Sequence, residues 1–85
     1  MARYKILYWQ EVPSQVKAED ELDEVTLPLA ARFMERVDRL AGQRGLQGSD
    51  DYLEQWRWSE EDERDGSAQE VADAVKAELE SRPWP

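Results

Sequence analysis

The sequence predicts an α+β domain: a two-layer β-β-α-β-α arrangement with a three-stranded antiparallel sheet, strand order 2-1-3, and two helices on one sheet face. Three observations lead there. Runs rich in Tyr, Ile and Trp alternate with the period of two that strands require. Two other stretches follow a helical period. The 85 residues suffice for one domain, spanning residues 1–85, whose core supplies roughly 3–5 kcal/mol of net stability.

Arg3 to Gln10 reads as the first strand, with Tyr4, Ile6 and Tyr8 on one face and Arg3, Lys5, Leu7 and Trp9 on the other. It is the most apolar strand, so it takes the central place. Pro13-Ser14 is a turn signal, and Gln15 to Ala18 a short second strand suited to a sheet edge. Glu19 to Glu24 carries five acids in six positions and reads as a solvated loop. From Pro28 to Arg44 the residues Ala30, Phe33, Met34, Val37, Leu40 and Ala41 repeat at helical spacing, with Pro28 at the first helical position and Gly45 as the stop. Ser49 or Asp50 caps a short turn over Asp51 to Glu54. Gln55 to Ser59 reads as the third strand, and Glu60 to Asp65 as a second acidic loop. Ser67-Ala68-Gln69-Glu70 is a capping box, opening a helix with Ala68, Val71, Ala72, Val75 and Leu79 on one stripe and Pro83 at its end.

Composition narrows function by exclusion. There is no cysteine, hence no disulfide, thiol nucleophile or thiolate metal site, and no histidine, the commonest general base and metal ligand. Eleven basic against 20 acidic residues give a net charge of −9, which disfavours nucleic acid and anionic membranes as partners. The N-terminus lacks a signal-peptide core and the longest apolar run is too short to span a bilayer, so a cytoplasmic location is the default expectation.

No constellation for catalysis emerges. Half of the acids lie in the two solvated runs, and neither run has the spacing of a calcium loop. The serines have no histidine to activate them, and Gly42 to Gly48 follows a helix, whereas phosphate cradles follow a strand. No catalytic, cofactor-binding or metal-binding residue is assigned. The aromatics are more informative, because six of eight lie on or beside the first and third strands. They fill a small core or form a protein-binding face. The first strand is apolar on both faces, so either the 46–54 segment and Trp84 cover the second face or a partner does. Arg32, Arg36 and Arg39 form a stripe on the first helix, which pairs with the chain's own acidic runs or docks an acidic partner.

The segments Tyr8-Trp9-Gln10-Glu11-Val12-Pro13-Ser14-Gln15-Val16-Lys17 and Tyr52-Leu53-Glu54-Gln55-Trp56-Arg57-Trp58, with Glu63-Arg64-Asp65-Gly66-Ser67-Ala68 before the last helix, resemble the small bacterial "virulence factor" domain, also found within the larger conserved virulence factor C proteins. The resemblance implies no established catalytic residue. It implies an accessory module: a non-enzymatic protein-interaction domain or, alternatively, an accessory subunit of a one-carbon or methyl-transfer (folate or corrinoid) enzyme system. The residues expected to meet a partner protein are Trp9, Trp56 and Trp58 on the sheet and Pro13, Ser14, Gln15 and Val16 at the hairpin. Whether the open sheet edge pairs with a second copy is left open by the sequence.

Overall fold

The computed structural model of the chain describes residues 1–46, 48 and 50–83. Its elements are β1 (Ala2–Trp9), β2 (Val12–Glu19), β3 (Glu24–Pro28), α1 (Ala31–Gln43), α2 (Asp50–Glu54), β4 (Trp56–Trp58), β5 (Asp62–Arg64) and α3 (Ala68–Ser81). The class is α+β with an antiparallel sheet. Among the described residues, however, the sheet has five strands and not three, in the order β3-β2-β1-β4 with β5 also on β1, which differs from the expected 2-1-3. β1 is interior, flanked by β2 on one side and by β4 and β5 in succession on the other.

Both added strands come from segments that read as acidic loops or helix starts. β3 pairs Val25 with Ala18 and Leu27 with Val16, turning those two side chains to the core and leaving Glu24, Thr26 and Pro28 exposed. Its alternation spans only five residues, and the acids before it hide where it begins. Pro28 ends this strand instead of opening the helix, which starts at Ala31 after an Ala30 N-cap that makes no side-chain bond. β5 has no apolar alternation at all. Asp62, Glu63 and Arg64 join Tyr4, Arg3 and Ala2 through the main chain while their side chains stay at the surface. The break between β4 and β5 is bridged by Ser59, whose N–H donates to the Ile6 carbonyl at 2.8 Å while its Oγ accepts from the Ile6 N–H at 2.9 Å. No ladder donor on β1 is left unmet there.

The first hairpin turns at Gln10-Glu11, not at Pro13-Ser14. Trp9 pairs with Val12 across a two-residue loop, and Gln10 takes the positive φ, 51°, that tight hairpin loops use. Gln55 holds it by a main-chain bond of 3.2 Å and a side-chain bond of 3.1 Å. Pro13 and Ser14 instead form a bulge inside β2, where the register with β1 shifts between Leu7 and Tyr8. A proline is tolerated there because the strand is bulged and β3 has already ended at the Gln15–Pro28 pair.

α3 lies across β1, β2 and β3 and buries Ala68, Val71, Ala72, Val75 and Leu79, the stripe read from the sequence. Val16 and Ala18 are fully buried in the same core, with Tyr4, Ile6, Val25 and Leu27 packed against it. The capping box is present: Ser67 Oγ accepts from the Glu70 N–H, and the Glu70 carboxylate accepts from the Ser67 N–H. α1 buries Phe33, Val37, Leu40 and Ala41, while Met34 is exposed. It ends in a Schellman pattern, with Gly45 at φ 69° and the Leu46 N–H bonded to the Ala41 carbonyl at 2.8 Å.

α1 packs on β2 near the bulge, where Ser14 Oγ donates to Met34 Sδ and the Ser14 carbonyl accepts from Leu29 N–H. α2 covers part of the second face through Tyr52, one part of the two alternatives, own-chain cover or a partner, that the sequence leaves open. Trp84, the other expected cover, and Ser49 lie outside the described residues.

Candidate functional site

Cross-strand partners share a sheet face. The pairs Leu7–Trp58, Trp9–Trp56 and Trp9–Val12 therefore place Leu7, Trp9, Val12, Trp56 and Trp58 together on the face turned away from α3. Their burial is graded along that face. Trp9 and Val12 are fully buried. Trp9 Nε1 donates to the Tyr52 carbonyl at 3.0 Å, and its ring lies 5.6 Å from that of Tyr52. Trp56 is half-buried, meeting the Tyr52 ring edge-on at 6.3 Å. Trp58 lies beyond the reach of α2 and is 40% exposed. Lys5, on the same face, sets its ammonium 4.9 Å from the Trp58 ring centre, a cation–π contact.

The seven residues expected to meet a partner thus separate. Trp9, Pro13 and Val16 are interior and cannot serve as surface anchors. Ser14 and Gln15 are half-buried, with Ser14 committed to the bulge contacts and Gln15 paired to Leu7 and Pro28. Trp56 is half-buried, and Trp58 is the one aromatic side chain classed as exposed among the described residues.

Residues beside Trp58 complete a shallow cavity of about 370 Å³, lined by Tyr8, Gln10, Glu11, Arg57, Trp58 and Ser59. Arg57 pairs with Tyr8, and both belong to the opposite face from Trp58. Burial raises the Tyr8 phenol pKa, and the positive charge of Arg82 partly opposes that rise. Glu11 at the rim is held by a bidentate bond from Arg44, with Nη2 to Oε1 at 2.8 Å, and that bond lowers its carboxyl pKa. Lys5 and Arg57 carry no local signal as site residues. Each becomes notable only once pairing places it around Trp58.

Among the described residues, no ion pair joins the arginine stripe on α1 to the acidic runs. Arg32 donates to the Glu80 carbonyl at 2.8 Å and lies over the Phe33 ring at 5.0 Å. The acidic runs pair with β1 and β2 instead, through Arg3–Glu19, Arg3–Glu61 and Lys17–Glu24. The carboxylates with displaced pKa, Glu11, Asp20 and Glu78, are all displaced downward by accepted hydrogen bonds, the opposite of the upward tuning a general acid requires.

Fold and surface together define a small α+β domain that presents a partly uncovered aromatic sheet face. Among the described residues no helix is long and apolar enough to cross a membrane. The model of the family described as "Virulence factor" matches residues 7–82, nearly the whole chain, and the chain belongs to that family. No curated protein matches it, and no solved structure does.

Proposed function

We propose that this chain is a non-enzymatic protein-interaction domain whose contact surface is centred on Trp58. The observation that carries the reading is the contrast within one set of tryptophans: Trp9 is 0% exposed and Trp58 40% exposed on the same sheet face. A small domain has few large apolar residues to spare, and an exposed Trp beside a half-buried Leu7 is the composition of an interface anchor. The absence of histidine and cysteine, with downward-shifted carboxylates, supports a binding role over a catalytic one.

The test is affinity capture from the native cell extract with wild-type and Trp58→Ala chains, each checked for folding. The expected result is one or more proteins held by wild type and lost with Trp58→Ala. Identical capture by both chains overturns the reading. The identity of the captured protein tests the alternative role, since an accessory subunit of a methyl-transfer system would bring that enzyme down.

A further inference from the structure

The edge of the sheet beside Trp58 is a hydrogen-bonding template as well as an apolar surface. β4 is terminal in the order β3-β2-β1-β4. The Gln55 carbonyl accepts from Gln10 N–H and the Ser59 N–H donates to the Ile6 carbonyl, so the main chain at 55 and 59 points toward β1. With a period of two, Arg57 points the same way, and the N–H and C=O groups of Trp56 and Trp58 point outward. Natural edges of this kind are blunted by Lys, Pro or bulges. β4 is three residues long and carries the charge of Arg57, so what it offers a partner strand is confined to the outward N–H and C=O groups of Trp56 and Trp58.

Two cations flank Trp58 at this edge of an acidic chain, and the carboxylate that lines the same cavity, Glu11, is taken up by Arg44. The net charge is −9, yet Lys5 stacks on Trp58 and Arg57 is exposed on the other face, making no ion pair or side-chain hydrogen bond among the described residues. Arg82 contributes further positive potential near Tyr8. Resting on the interaction role proposed above, we infer that β4 takes up an extended peptide as an added strand. The peptide alternates apolar and acidic residues: its main chain bonds to Trp56 and Trp58, its acidic side chain pairs with Arg57 in the Tyr8-lined cavity, and its apolar side chains lie beside Trp58. Main-chain bonds supply affinity in such strand addition, and alternate side chains supply specificity.

The probe is a short acetylated fluorescent peptide of alternating Val and Glu, titrated against the full chain by anisotropy, with amide hydrogen exchange read in parallel. The expected result is saturable binding with slowed exchange at the Trp56 and Trp58 amides. Replacing Glu by Lys in the peptide, or Arg57→Glu in the protein, weakens binding by about tenfold or more. N-methylating alternate peptide amides abolishes it. Arg57 is exposed, so its variant keeps the fold, and the N-methylated peptide needs no variant. No saturable binding up to about 1 mM, or binding indifferent to N-methylation, overturns strand addition. So does protection of the same amides by protein concentration alone, which assigns the edge to a second copy. If the Val-Glu peptide fails while Trp58→Ala still loses a captured partner, the interaction surface stands and only its strand-addition mode falls.

Discussion

At the residue scale, Trp9 and Trp58 show how position along one sheet face decides a side chain's work. Trp9 has α2 above it, with its indole N–H satisfied by the Tyr52 carbonyl, so it serves stability. Trp9→Ala is expected to cost roughly 3–5 kcal/mol, because it opens a cavity in a core of this size. Trp58→Ala loses a cation–π contact and the partly covered area of a ring that is 40% exposed, and is expected to cost clearly less, about 1–2 kcal/mol. Urea unfolding of the two variants measures both. Equal losses would mean that Trp58 is structural, and the interaction role would lose its central residue.

At the scale of the element, local chemistry determines what can be read without a structure. α3 is legible end to end, because its apolar stripe and its capping box are both intrinsic to the segment 67–81. Ser67→Ala is expected to cost about 1 kcal/mol through the lost N-cap bond, seen as a lower denaturant midpoint. An unchanged midpoint would show that the helix holds without the cap. β1 is legible for the same reason, as is the short α2. β3 and β5 are not, since what makes them strands is the partner strand. Val25 and Leu27 are drawn in by Ala18 and Val16, and Asp62 to Arg64 by the main chain of Ala2 to Tyr4. The turn signal at Pro13-Ser14 marks a bulge and not the hairpin loop, because a proline has the same local signature in both. The candidate site was legible as a set of tryptophans and not as a surface. Register alone separates Trp58 from Trp9, and register depends on the Gln10-Glu11 loop, which carries no Gly or Asn to announce it.

At the scale of the whole molecule, three carboxylates tie the peripheral elements to the sheet. Asp20 Oδ1 accepts from the N–H groups of Leu22 and Asp23, each at 2.7 Å, shaping the β2–β3 turn. Its Oδ2 accepts from Ala68 N–H at 2.7 Å, fastening the start of α3 to that turn across 48 positions of sequence. Glu11 joins the first hairpin to Arg44 after α1, and Glu78 on α3 makes a bidentate pair with Arg64 of β5, one arm at 2.7 Å. Each carboxyl has its pKa lowered by the hydrogen bonds it accepts: Asp20 by the N–H groups of Ala68, Leu22 and Asp23, Glu11 by Arg44, Glu78 by Arg64. A folded pKa below the unfolded one means that the unfolded chain binds more protons on acidification. The stability from these ties is therefore complete above the unfolded carboxyl values, about pH 4, and is lost as pH falls through the lower folded values. Self-repulsion of the chain's net charge of −9 acts in the opposite sense, since protonating the acidic runs relieves it. The two effects separate in a chain carrying Glu11→Gln, Asp20→Asn and Glu78→Gln. The three sites make no bond to one another, so their contributions are expected to add. Wild type is expected to lose urea resistance below about pH 4, while the triple variant is less stable at neutral pH and stays level or gains resistance over the same acid range. Parallel acid limbs for the two proteins would show that these ties contribute nothing to the pH dependence.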